Sequence, residues 1–168
     1  MDLALYSIFN FVVYSFAGWI IEELYCLWVT GGFKTDGFLI GPFKPMYGIT
    51  GVLLILFSRY FDKNVVVMLI LCFLVPSIVE GVSGYGLKML FGKQYWDYSI
   101  LKYNFYGLVS LKFSVYWMLL SFVGLYFVEP IVYNFFTVSF RYWLVSIPIL
   151  TSAFFVDLFL TVKRLANI

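Results

Sequence analysis

Four acidic positions stand in, or at the end of, hydrophobic stretches long enough to cross a bilayer: the Glu22-Glu23 pair, Glu80 and Asp157. A carboxylate in hydrocarbon costs about 3 kcal/mol on insertion scales unless it faces protein, water or a counter-charge. Retaining several points to a cation or proton site, or to hydrogen-bond acceptors for a polar solute. In Gly18-Trp19-Ile20-Ile21-Glu22-Glu23-Leu24-Tyr25 the helical repeat puts Gly18, Glu22 and Tyr25 on one face, with Glu23 elsewhere. Gly18 admits a close neighbour, and Tyr25 can donate to Glu22. Glu23 reads as a carboxylate marking the end of the span. Glu80 follows Pro76, which removes a backbone donor, and precedes Gly81, Gly84 and Gly86, which leave room for a ligand or another helix. A broken helix bearing a carboxylate is how transporters build a polar site in lipid. The plainer alternative pairs Glu80 with Lys88 or a backbone donor. Asp157, between Phe154-Phe155 and Leu158-Phe159, requires a partner, and Arg141 or Lys163 reaches it only from a short or tilted helix. Trp96-Asp97-Tyr98-Ser99 and Asn104 form a further polar group. Asp97 either caps a short helix with Ser99 assisting a turn, or folds back with Asn104 over a cavity mouth.

Other chemistries are excluded by residue type. The sequence contains no histidine, which removes His-ligated haem, His-zinc sites and Ser-His or Cys-His catalysis. It holds no GxxxxGK[ST] run, so it carries no P-loop for ATP, and no zinc or Fe–S spacing, so no metal site or cofactor is expected. Nothing fixes two carboxylates at catalytic distance, so enzymatic activity is not expected. Cys26 and Cys72 fall in apolar helical stretches and read as small buried hydrophobes.

These acids need an unusual scaffold. The 168 residues are 63% hydrophobic and only 12% charged, with mean hydropathy +0.95. Soluble domains run near 25% charged, so the chain reads as an integral membrane protein forming a single domain over residues 1–168. The net charge of +2 suggests no nucleic-acid partner. Met1-Asp2 opens directly into an apolar run without a basic leader or cleavage site, so the first segment reads as a retained helix.

The fold class is all-α, a polytopic helical bundle, because open strands leave edge groups unsatisfied in lipid and the apolar runs do not alternate. Five spans are expected: Leu3 to Trp28, a short one over Pro45 to Tyr60, Val65 to Leu90, Leu108 to Val128 ended by Glu129-Pro130, and Tyr142 to Val162 kinked near Pro148. The connection from Gly31 to Gly48 carries Gly37, Gly41, Pro42, Pro45, Tyr47 and Gly48 among several apolar residues. It reads as a re-entrant-like loop, tolerated in lipid only where its backbone meets protein or a wet cavity. The connection from Phe91 to Gly107, rich in Trp and Tyr, reads as an interfacial helix or turn in contact with membrane lipid. Eight basic residues (Lys34, Lys44, Lys88, Lys93, Lys102, Lys112, Lys163 and Arg164) fall on one side of a five-span chain, against Arg59, Lys63 and Arg141. That bias places the N-terminus outside and the C-terminus in the cytoplasm. A faint echo relates the first two spans, with Glu22 and Gly37, to the next two, with Glu80 and Gly107, as in a parallel repeat.

Several pieces recur in order: Gly18-Trp19-Ile20-Ile21-Glu22; Gly37-Phe38-Leu39-Ile40-Gly41-Pro42 with Pro45-Met46-Tyr47-Gly48; Glu80; Phe91-Gly92 with Trp96-Asp97-Tyr98-Ser99; and Asn104 with Gly107 and Leu111. In these the chain resembles the bacterial "putative ABC-transporter permease" family, the CmpB-like or type IV group, formerly a domain of unknown function. GFLxGPxxPxYG and WDYS are the most specific pieces, and Asp157 falls where the family carries an acid in its last span. The chain departs at Lys34-Thr35-Asp36, where relatives tend to show Asn-Arg. If that arginine is a counter-charge, Lys34 must replace it.

The resemblance implies a permease-like transport component of the bacterial cell membrane, working with a separate ATPase subunit or as a homodimer. Glu22, Tyr25, Glu80, Trp96, Asp97, Asn104 and Asp157 would be its contacts for a polar or cationic solute. No EAA-like coupling stretch stands in a cytoplasmic connection. Two other classes remain open: a structural or regulatory membrane subunit, and an interfacial lipid-modifying enzyme built on the WDYS connection and the Gly-Pro loop.

Overall fold

The computed structural model describes residues 3–33 and 37–166. Met1, Asp2 and the expected counter-charge Lys34 lie outside the described residues. The chain divides into two compact units, one of residues 1–48 with 136–168 and one of residues 49–135.

In the first unit, α1 (Leu3–Thr30) is 28 residues long, about 42 Å at helical rise. It packs on α6 (Phe140–Ala166). The contact is aromatic: the Phe9 ring lies 4.6 Å from Trp143, and Phe11 meets Phe154 edge-on at 5.1 Å, while Phe136, just before α6, lies 4.9 Å from Phe9. Helix α1 stops at Gly31, whose φ of 75° lets its N–H turn back onto the Leu27 carbonyl at 2.9 Å. The chain then returns alongside the C-terminal half of α1. Lys44, the residue before α2 (Pro45–Tyr60), donates its backbone N–H to the Ser15 carbonyl at 2.9 Å, near the middle of α1. Pro45 opens α2 where a missing donor costs nothing. The next turn presses against α1, because the Tyr47 ring and Ser15 occupy the space that side chains at Gly18 and Gly48 would need.

In the second unit, Asp62 and Lys63 adopt left-handed φ values of 48° and 55°, and Asn64 caps α3 (Val65–Phe91) by accepting from Val66 and Val67. Helix α3 continues through Pro76 to a left-handed Gly92 cap. A short antiparallel pair, β1 (Asn104–Phe105) with β2 (Val109–Ser110), leads into α4 (Leu111–Val123), which packs along α3. Of the helix or turn expected in this connection, the structure forms the turn, closed as a tight hairpin.

Helix α4 does not stop at Glu129-Pro130. It passes through a π turn at Gly124–Val128 into α5 (Glu129–Val138). The Glu129 N–H reaches back five residues to the Gly124 carbonyl. Widening the turn just before Pro130 accommodates a ring that would crowd an ordinary α-helical carbonyl, so an expected terminator becomes an interior irregularity.

Among the described residues four helices are long and apolar enough to span a membrane: Leu3–Thr30, Val65–Phe91, Leu111–Val138 and Phe140–Ala166. The segment expected as the short second span forms α2, which has 16 residues. Polarity is inverted relative to a water-soluble protein. Asn10, Ser15, Glu80, Ser114 and Thr161 are buried while Val82, Ile131 and Phe159 are exposed. That distribution suits a lipid solvent, which leaves polar side chains only the protein interior. The molecule is a helical membrane protein.

Candidate functional site

Glu80 is 2% exposed. Its Oε1 accepts from the Tyr98 hydroxyl at 2.9 Å and from the Trp117 indole N–H at 3.1 Å. The three residues come from three elements: α3, the hairpin and α4. Glycines let them meet. A side chain at Gly84 would approach the Trp96 ring to 2.9 Å, and one at Gly81 would touch Val109 at 3.0 Å. The room left by these glycines is therefore taken by the hairpin. One turn before Glu80, the Ser77 hydroxyl bonds Ser114 across to α4 at 2.8 Å. Trp117 reaches back toward the N-terminus of α4, the direction helical side chains take. Tyr98 stacks on Phe113 at 4.6 Å, with Phe113 6.4 Å from Trp117. Glu80 thus sits beside a wall of aromatic faces, and two aromatic donors, Tyr98 and Trp117, bond it.

The hairpin that delivers Tyr98 is fixed by its own polar side chains. Asp97 Oδ1 accepts the Ser99 N–H at 2.9 Å. It caps a turn, not a helix. Asn104 Oδ1 accepts the Gly107 N–H at 2.9 Å while its amide donates to the Leu101 carbonyl at 2.7 Å. The Trp96 indole bonds the Leu108 carbonyl at 2.9 Å. Gly107 has φ of 70°, and a side chain there would meet Asp97 Oδ1 at 2.6 Å, so the WDYS motif and Gly107 form one interlocked turn. The Ser99 N–H, then its hydroxyl, hold the Asp97 carboxyl below its usual value, with a smaller pull from Lys88.

The first unit holds a second arrangement. Asp157 accepts the backbone N–H groups of Ile40 at 3.1 Å and Gly41 at 2.9 Å, one on each oxygen, and Thr161 donates to it at 3.5 Å. Glu22 forms an ion pair with Lys44 at 2.8 Å, the side chains being 20% and 13% exposed. The two acids therefore hold neighbouring points of one loop, Asp157 at Ile40 and Gly41 and Glu22 at Lys44. The partners of Asp157 are consecutive backbone donors of the kind that make an anion nest, not Arg141 or Lys163. Lys44 is the cation paired with Glu22, a partner not expected from the sequence. Gly41 is required here because a side chain would come within 2.9 Å of Asp157 Oδ2. Phe43 packs edge-on against Phe154 at 6.0 Å. Tyr25, one turn beyond Glu22, is exposed.

Each predicted acid thus has a defined setting within its own unit: Glu22 and Asp157 on the Gly-Pro loop, Glu80 and Asp97 around the hairpin. Trp117 and Lys44 are the partners that reading the sequence missed. An indole N–H inside an apolar span needs an acceptor, and that was the available signal for Trp117. Cys26 and Cys72 are free thiols. Among the described residues no cluster of three or more His, Cys, Asp or Glu could hold a metal.

A family model, ABC_trans_CmpB, described as "Putative ABC-transporter type IV", matches residues 9–162, a run that includes every residue of both arrangements. No curated protein and no solved structure matches.

Proposed function

The chain belongs to the ABC-transporter type IV family, and we propose that it is the membrane-embedded component of a transport system for a polar or cationic solute, with Glu80 as the principal contact. The observation that carries this reading is a carboxylate 2% exposed, held by two aromatic donors beside stacked rings. A cation gains there from the charge and from the ring faces together. Trp96, Asp97 and Asn104 act by fixing the hairpin that carries Tyr98. Glu22, Tyr25 and Asp157 serve a second polar station at the loop.

The sequence has no P-loop of its own, so energy comes from a separate ATPase subunit, with a homodimer as the other way of enlarging the bundle. The whole chain acts as one integral domain of the bacterial plasma membrane. Its N-terminus is outside and its C-terminus cytoplasmic, as the lysine distribution directs. The Gly-Pro loop is re-entrant. The Lys44 to Ser15 bond places the start of α2 near mid-helix on α1, and 16 residues, about 24 Å, then suffice to finish the crossing.

The test uses full-length protein in nanodiscs with potassium, ammonium, choline and spermidine as probes. At least one cation should raise the melting temperature of the wild type and leave Glu80→Gln unmoved. Equal shifts in the two proteins, or none with any probe, would remove Glu80 from the role. A structural or regulatory subunit is the second reading, favoured by the engagement of Asp157 and Asp97 with backbone N–H groups. It predicts unchanged transport after substitution of Glu80 in an assembly that Asp157→Ala disrupts.

A further inference from the structure

The hairpin between α3 and α4 is a turn that spends its polar side chains on its own backbone and leaves large apolar ones exposed. Asp97 and Asn104 are used on the turn's own backbone, and further bonds from Tyr98 N–H to the Gly107 carbonyl at 2.8 Å and from Leu111 N–H to the Tyr103 carbonyl at 2.9 Å close it. Its apolar side chains point outward: Ile100 is 96% exposed, and Tyr103, Phe105 and Tyr106 are exposed beside it. A turn this well bonded does not collapse over its own hydrophobic residues, so the crown stays available to a partner.

Charge and position identify that partner. From Gly81 to Val128, Asp97 is the single acidic residue against Lys88, Lys93, Lys102 and Lys112. Lys93, Lys102 and Lys112 are exposed. The Lys102 and Lys112 ammonium groups lie over aromatic rings, 5.7 Å and 5.9 Å from the ring centres of Tyr103 and Tyr116. Helix α3 has 27 residues, about 40 Å against about 30 Å of hydrocarbon, so the hairpin leaves the membrane at headgroup depth, where Tyr and Lys are favoured. We propose that this hairpin is a docking element for acidic phospholipid, with Ile100, Phe105 and Tyr106 seated among the upper acyl chains and Lys93, Lys102 and Lys112 on the phosphates.

The full-length protein is placed in nanodiscs of phosphatidylcholine, or of equal parts phosphatidylcholine and phosphatidylglycerol. A polarity-sensitive dye is attached at Ile100→Cys in a Cys26→Ser background, Cys72 being buried. The dye is expected to shift to the blue in the mixed discs. The ratio of phosphatidylglycerol to phosphatidylcholine retained on purification should fall about five- to tenfold in the Lys93→Gln, Lys102→Gln, Lys112→Gln triple variant, allowing for screening of the three charges. All three lysines are exposed, so the variant should keep the fold. Unchanged lipid selectivity in that variant, or a dye reporting bulk water in every disc, overturns the proposal. So does a dye that leaves water only when an ATPase subunit is added, which would assign the crown to a protein partner.

Discussion

Asp157 shows how an acid inside a membrane protein can be needed for backbone rather than for a counter-ion. A loop folded back beside α1 exposes N–H groups that lipid cannot satisfy, and each one left unpaired costs about 1–3 kcal/mol. Asp157 answers two of them at once. Asp157→Ala should therefore lose roughly 2–5 kcal/mol of local stability, read as faster amide exchange confined to Ile40, Gly41 and their neighbours. Unaltered exchange there would deny the acid this role. Asp97 does the same job in the hairpin. Its carboxyl is held below its usual value in the folded protein, chiefly by the Ser99 N–H. Its stabilising contribution is therefore complete above the unfolded value near 4 and is lost as pH falls through the lower folded value. Protection of the Ser99 amide should be flat above about pH 4 and decline below it, and Asp97→Asn should show no such decline. Identical pH profiles of Ser99 protection in the wild type and Asp97→Asn would contradict this.

Close approach governs the elements. Gly18 on α1 lies under the Tyr47 ring, and Gly48 on α2 lies against Ser15. A β-branched residue at Gly18 must push Tyr47 away, so Gly18→Val should lower stability by about 1–3 kcal/mol and release the nearby Lys44–Glu22 pair. Denaturation of the variant in detergent checks the first effect. A thermal transition within error of wild type would mean that α2 has another seat. The π turn before Pro130 is a property of the element as well. Once the ring is gone, Pro130→Ala should allow regular i→i−4 bonding through Gly124–Val128. A structure of the variant that keeps the Glu129 to Gly124 bond would show that the π turn has a different cause.

For the whole molecule the number of crossings is a measurable prediction. Among the described residues four helices meet the length and hydropathy needed, and α2 joins them if the Gly-Pro loop covers the first part of its path. Single cysteines at Phe33 and Tyr60, which flank α2, tested with a membrane-impermeant reagent in intact cells, distinguish the cases. Five crossings put Phe33 inside and Tyr60 outside. Labelling of both positions, or of neither, would restore an even count.

Helicity, membrane residence and family membership were legible from composition, hydropathy and the GFLxGPxxPxYG and WDYS pieces, because lipid leaves an apolar chain few ways to satisfy its backbone. The identity of the acids was legible for the same reason, since charge in hydrocarbon stands out. Their partners were not. Glu80 meets Trp117 and Tyr98, Asp157 meets the N–H groups of Ile40 and Gly41, and Pro130 extends a helix it was expected to end. Each of these outcomes depends on which residues distant in the chain arrive at one place and on the small backbone adjustments made there. Local sequence specifies that a buried carboxylate needs a partner, but only the packed chain selects it.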